Sequence, residues 1–385
     1  MTINLGKRAV AALLLGHCAG MLDLVALPLW MGGLIGWAHL DPQQAGTLVT
    51  LFLAGQVVSS LISASRFARL AVRPVAACGF AVAAAAFAGL ATGPTFAGMA
   101  ALHLLGGLGA GCALSVTHGT IGRSHNPHRL FAHAQLALAL FGIAVLGAGP
   151  QLLQAGGITL LFAGFAGFIA LVALVASVAF PQREVLVTAS TTPQAPAALP
   201  STVWFAIAGI SLMSLAQAMI FSFVERIGAD RGYGTAMISG AFIAVGLVNL
   251  VPAPLAAALQ HRLSTHKVLL CGPLLHGGLA LLLTRSDSFV LYATCTALFV
   301  CTLVFTHTFL FGLLARLDPS GRALAATPAM LMIGSCTGPL IGGSLVKFSG
   351  YAALGLVVAT LGVLAMLCFT RLRSTTVTVA EAIPS

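Results

Sequence analysis

Charge is what this sequence has least of. Among 385 residues only 18 are Lys or Arg and 8 are Asp or Glu, a charged share of 7%, against about 25% for soluble domains. That scarcity excludes an ordinary soluble domain. With 59% hydrophobic residues and a mean hydropathy of +1.03, the chain reads as a membrane protein. Aromatic residues are also few, at 7%, which weakens the case for a bulky cationic ligand held in an aromatic cage. Paired cysteines are missing. Cys18, Cys78, Cys112, Cys271, Cys295, Cys301, Cys336 and Cys368 all fall inside apolar runs without a C-x-x-C pair, so they read as small buried hydrophobes. Neither a disulfide framework, a metal site nor any cofactor is expected.

Apolar runs near 20 residues long, bounded by charge, Pro or Gly, number twelve. Six lie at 10–36, 44–64, 74–92, 95–120, 131–155 and 157–180; six more lie at 202–225, 233–259, 267–284, 289–315, 323–346 and 352–370. The expected fold is therefore all-α, twelve transmembrane helices in two six-helix bundles. Residues 1–180 form the first and 201–373 the second, joined by a cytoplasmic linker at 181–200 rich in Pro, Thr, Ser and Ala, with a tail at 374–385. Lys7 and Arg8 ahead of the first run imitate a signal peptide, but that run is long enough to span and is expected to be retained. With both termini cytoplasmic, only Arg226, Arg231, Arg285 and Lys347 of the 18 cations lie outside. Topology and anionic lipid then explain the net charge of +10, and no nucleic-acid partner is needed.

Span one, Val10 to Gly36, carries Asp23 near its middle. A carboxylate at that depth costs roughly 2.5–3.5 kcal/mol on insertion scales, so either function or local donors must offset it. Gly16, Ala19, Gly20 and Asp23 share a face, where a second helix or a cavity fits. Glu225 ends span seven, beside Arg226, Asp230 and Arg231, and reads either as the outer mouth of a cavity or as part of a solvated external loop. Polar residues concentrate in two spans of every three: His17, Asp23, Gln56, His103, His118, Gln135, Gln217, Asn249, Thr306 and His307. Spans three, six and twelve are nearly pure Ala, Leu, Val, Gly and Phe, while span nine, with His276, is the exception. This is the layout of a central pathway between two bundles.

Particular residues then point to a family. Gly334-Ser335-Cys336-Thr337-Gly338-Pro339-Leu340-Ile341-Gly342-Gly343 reads G-x-x-x-G-P-x-x-G-G. Together with the six-linker-six plan, it resembles the major facilitator superfamily, and in particular the antiporter motif of its proton-coupled drug exporters. There the motif usually sits in span five, where this chain has Gly147, Gly149, Pro150 and Gly156-Gly157. His103 followed by Gly107 and Gly111 in span four is similar to the family's Arg before G-x-G, with His in place of Arg. The loop Ser65-Arg66-Phe67-Ala68-Arg69 keeps the family's arginines but lacks its Asp and second Gly, and Gln260-His261-Arg262-Leu263-Ser264-Thr265-His266-Lys267 is degenerate as well.

The resemblance implies a secondary transporter that exports a small organic molecule across a bacterial inner membrane, driven by protons and working as a monomer. Its partners are the substrate, protons and the bilayer. Asp23 and His103 are the proton-coupling candidates. His17, Gln56, Gln135, Gln217, Glu225, Asn249, Thr306 and His307 are the candidates for lining the cavity. Gly107, Gly111, Gly149, Pro150, Gly334, Gly338, Pro339, Gly342 and Gly343 are the candidates for gating and packing. Uptake by proton symport of a small anion or metabolite is the alternative, and a non-transporting structural or receptor-like protein the alternative of another class. An enzyme is not expected, since the loops are too short for a catalytic domain and no nucleophile motif appears.

Overall fold

A computed structural model of the chain describes residues 5–182, 201–260, 262–317 and 327–372. Most of the expected linker, the tail, His261 and the start of span eleven lie outside the described residues. Every element that is described is helical. In the first half they are α1 (Lys7–Gly20), α2 (Leu22–Gly36), α3 (Pro42–Arg66), α4 (Val72–Leu90), α5 (Phe96–Gly122) and α6 (Pro127–Ala179). In the second half they are α7 (Ser201–Phe221), α8 (Val224–Asp230), α9 (Thr235–Val248), α10 (Pro252–Leu259), α11 (Thr265–Arg285), α12 (Phe289–Leu317) and α13 (Thr327–Thr370).

Local chemistry sets several boundaries. α3 opens with a capping box in which Asp41 accepts from the Gln44 N–H and Gln44 accepts from the Asp41 N–H, with Pro42 in the first turn. Asn126 caps α6 ahead of Pro127 by a single bond, its Oδ1 accepting from the Arg129 N–H. At 53 residues α6 would run about 80 Å as a straight helix, far beyond a hydrocarbon core of about 30 Å. Gly156 and Gly157 interrupt it, the latter at φ 63°, a left-handed conformation that favours glycine. α13, at 44 residues, is interrupted in the same manner by Gly350 at φ 75°.

Ten helical stretches among the described residues are long and apolar enough to cross a membrane, where twelve spans are expected. The 51-residue and 40-residue stretches among them are the ones interrupted at Gly156-Gly157 and Gly350. The protein is a multi-pass membrane protein.

Within the first half α5 packs on α3 and α4, and α6 on α4 and α1; within the second, α13 packs on α7 and α11. The glycines expected in span four serve this internal packing. Gly107 lies against the Phe52 carbonyl and Gly111 against the Gln56 carbonyl, bringing α5 close to α3. Gly149 does the same against Leu29 of α2, with Pro150 inside α6. The halves meet through α3 against α13, α6 against α9, and α2 against α8.

Candidate functional site

The first run is two helices. α1 stops at Gly20, Met21 is non-helical (φ −109°, ψ 18°), and α2 resumes at Leu22 with Asp23 in its first turn. Negative charge is favoured at such a helix start. The break frees the Gly20 carbonyl, and Gln56 of α3 answers it: its Nε2 donates to Gly20 O at 2.7 Å and to Asp23 Oδ1 at 3.2 Å. Gln56 is 1% exposed, and its Oε1 has no partner. Asp23 itself is half-buried. The small-residue face beside it receives a helix: Gly16 lies against Thr117 and Gly20 against Leu114, both of α5.

His103 does not meet Asp23. Its Nδ1–H donates to the Met99 carbonyl at 2.7 Å, and its Nε2 accepts from the Trp30 indole N–H at 3.1 Å. Both ring nitrogens are thus used, which fixes one neutral tautomer. Phe52, Phe87, Phe162 and Phe165 surround Trp30 and complete an apolar box. The two proton-coupling candidates, Asp23 and His103, are therefore not paired with each other, and the carboxylate's neighbour is the amide of Gln56. Trp30, the residue that sequence reasoning missed, shares the α2 segment with Asp23 two helical turns on.

Span seven repeats the design. α7 ends at Phe221, Phe223 is non-helical (φ −108°, ψ 0°), and α8 begins at Val224 with Glu225 in its first turn. Each acid thus sits two residues past a non-helical residue, in the first run of its half. Glu225 is only 5% exposed, and its Oε2 has no hydrogen-bond partner, so it is no part of a solvated loop. Its carboxylate rests on Gly32 of α2, in the space a Cβ there would fill, while Arg226 lies over Gly36 one turn on.

The other polar candidates are dispersed. His17 Nδ1 meets His118 Nε2 at 2.9 Å, with exposed Gln135 beside the same ring. In the second half the His276 Nε2–H donates to Gln217 Oε1 at 3.0 Å, and the ring stacks on Phe299 with centroids 3.8 Å apart. Thr306 turns its hydroxyl back to the Thr302 carbonyl and packs on Gly272. His307 stacks on Phe311 with Nδ1 unpartnered, and Asn249, at the break between α9 and α10, has an unpartnered Oδ1. No cluster of three metal-ligating side chains exists among the described residues.

The glycine-rich stretch of α13 has two working faces. Gly334, Gly338 and Gly342, at four-residue spacing, pack on Ser211, Ala218 and Met219 of α7 in their own half. Pro339 and Gly343, the adjacent stripe, meet α3 of the other half: the Pro339 carbonyl lies on Gly46, and Gly343 on the Pro42 carbonyl. Along this seam the Leu340 N–H approaches Thr50 Oγ1 at 3.2 Å, and Lys347 Nζ donates to Asp41 Oδ2 at 3.0 Å and to Gln43 Oε1 at 3.2 Å. A second line of contact joins α6 to α9, through Ile143 on Gly246, Gly147 on Ile243, Gln151 bonded to Ser239 and Gln154 to Thr235. Ion pairs Arg226–Asp230 and Arg231–Asp287 mark the same end of the molecule.

The two halves of the chain each carry a broken first helix with a buried or half-buried acid, and they meet at one end along a glycine-lined seam. Solved structures share this fold. The chain superposes on a D-xylose–proton symporter with a TM-score of 0.73 at 15% identity, covering 94% of this chain and 96% of that one. It superposes on the nucleoside transporter NupG (D323A mutant) at 0.71 and 14% identity, covering 95% and 100%. For the human organic anion transporter MFSD10 (TETRAN) the values are 0.63 and 18%, covering 94% and 99%. No curated protein sequence matches the chain. The sequence itself matches the family model of the Major Facilitator Superfamily over residues 10–320, and the chain belongs to that family.

Proposed function

We propose that the chain is a proton-coupled secondary transporter that exports a small organic molecule by alternating access. The observation that carries this reading is the Asp23 cluster. A half-buried carboxylate at the start of a half-helix is held by the neutral amide of Gln56, with no ion pair to it among the described residues. Such a group exchanges a proton without dismantling a salt bridge. Gln56 Oε1, buried and unpartnered beside it, supplies an acceptor for the O–H of the neutral acid. His103, with both nitrogens engaged, holds the aromatic box and leaves proton exchange to Asp23.

In this reading the chain crosses a bacterial inner membrane twelve times as a monomer, with α6 and α13 each contributing two crossings and both termini cytoplasmic. The seam then lies at the outer face, and the conformation is the one closed to the outside. His17, Gln56 and Gln135 from the first half, with Gln217, Asn249, Thr306 and His307 from the second, supply the polar lining of the route. Export follows from the likeness of the 334–343 stretch to the antiporter motif. Uptake symport is the second reading, favoured by the likeness in fold to the D-xylose–proton symporter.

The test uses the full chain in proteoliposomes, with cargo identified from a panel of small organic molecules by thermal shift at two pH values. Asp23→Asn is expected to abolish transport driven by a pH gradient while leaving substrate exchange across the membrane. Intact gradient-driven transport in that variant overturns the assignment. The direction of movement in inside-out vesicles separates export from uptake.

A further inference from the structure

We propose that Glu225 is a second proton-binding group, which holds the seam between α8 and α2 shut when neutral and releases it when ionised. This role goes beyond the transport reading and depends neither on Asp23 nor on the direction of transport.

Glu225 stands in the first turn of α8, just past the break at Phe223, and projects across the junction between the halves onto Gly32. The floor it rests on is bare α2 backbone. Gly32 lies within α2, where backbone N–H groups beyond the first turn are taken up in the helix ladder. Oε2 accordingly has no partner, in a residue 5% exposed. Glycine is what permits the approach, because any β-carbon at position 32 would occupy the volume of the carboxylate.

The groups that face Glu225 offer little compensation. On its own helix Arg226 is paired with Asp230, whose other oxygen accepts from the Tyr351 hydroxyl of α13. From α12 the Tyr292 hydroxyl donates to the Val224 carbonyl rather than to the carboxylate. Beyond α8, Arg231 pairs with Asp287, and the Tyr233 hydroxyl donates to the Asp287 carbonyl. The sole acid of α2 is Asp23, nine positions before Gly32, and α7 carries no titratable group on this side. The other acids described at this end, Asp41, Asp230 and Asp287, each have a cation, with Lys347, Arg226 and Arg231 respectively.

An ionised carboxylate with an unsatisfied oxygen in a dry junction carries a penalty of several kcal/mol, and a neutral carboxyl a much smaller one. Parting α8 from α2 admits water to the ion and removes the penalty, so ionisation favours the parted state and protonation the closed one. The proton comes from, and returns to, solvent at the same end, where Asp230 is exposed one helical turn away.

The test reads the seam directly. Spin labels are placed at Thr92→Cys and Ser288→Cys, both exposed, outside the seam and in loops at this end of the two halves, in a background where the native cysteines are replaced. Distance distributions are recorded on the full chain in lipid nanodiscs from about pH 5 to about pH 9. The expected result is a short-distance population that falls relative to the long one by about tenfold or more as pH rises. In Glu225→Gln the short population is expected to persist at every pH. In Gly32→Ala, which displaces the carboxylate, the long population should dominate throughout. In Asp23→Asn the pH response of the seam should survive. A distribution that ignores pH in the parent overturns the proposal, as does a response that survives Glu225→Gln or disappears in Asp23→Asn.

Discussion

Gly46→Ala offers the sharpest test of the seam between α3 and α13. An ideal β-carbon at position 46 would stand 2.7 Å from the Pro339 carbonyl carbon and closer still to its oxygen. Both neighbours are backbone, so no side chain can swing aside, and the helices must part by roughly 1 Å to restore ordinary contact. Overpacking of this kind costs about 1–3 kcal/mol. The cost falls only on the closed seam, because the substituted methyl has room once α13 withdraws. The open-to-closed ratio should therefore rise by about 5- to 150-fold. The readout is labelling of Thr50→Cys by a bulky membrane-impermeant maleimide in a background lacking native cysteines, since Thr50 lies against Leu340 in the seam. Gly164→Ala is the control: a β-carbon there meets nothing within 4 Å, and labelling should not change. Equal labelling in Gly46→Ala and the parent, or an equal increase in Gly164→Ala, would refute the reasoning.

Other predictions concern separate contacts. Burial by itself pushes the Asp41 carboxyl up, but the Gln44 N–H and the Lys347 ammonium outweigh it and hold the group below the usual carboxylate range. Its contribution to folding stability is thus complete above the unfolded-state value of about 4 and lost as pH falls through the lower folded-state value. Since both side chains are about a third exposed, Asp41→Asn, which keeps the cap, should cost under about 1 kcal/mol and lower the salt sensitivity of the melting temperature at neutral pH. Trp30→Phe strands the buried Nε2 of His103 and should cost about 1–3 kcal/mol in thermal or denaturant stability, with pH-gradient coupling preserved. His276→Phe keeps the stack on Phe299 but leaves Gln217 Oε1 without its donor, with a similar loss expected by the same measurement.

The broad architecture was legible because bilayer thickness imposes a length on every apolar run, and loops betray themselves by charge, Pro and Gly. Gly156-Gly157 interrupts α6 at the boundary between two expected spans, and Gly350 interrupts α13 in the gap between two others. In the 334–343 stretch the glycines at four-residue spacing share a face, which lies against α7. What could not be read was partnership. Nothing local announces that Trp30 reaches His103, or that Gln56 answers the Gly20 carbonyl, because these contacts join residues many positions apart. Nor did the breaks at Met21 and Phe223 show, since both residues are apolar and continue the hydropathy of their runs. The one available signal was the recurrence of an acid in the first run of each half. It was hidden by the position of Glu225 at the end of its run, beside charges that made it resemble a loop.

The seam between α3 and α13 is built from glycine resting on carbonyl, at Gly46 on Pro339 and Gly343 on Pro42. Contacts of this type are worth about 0.5–1 kcal/mol each. Helical carbonyls have their principal bonds inside their own helices, and parting the surfaces leaves them no poorer. At these two contacts nothing interlocks, because glycine presents no side chain that must be withdrawn from a socket. Such a junction behaves as a dry bearing between two smooth plates: it is tight by shape, yet it separates without a large polar debt. In the alternating-access cycle proposed above, a junction of this kind would keep the intermediate between the two closures low in free energy.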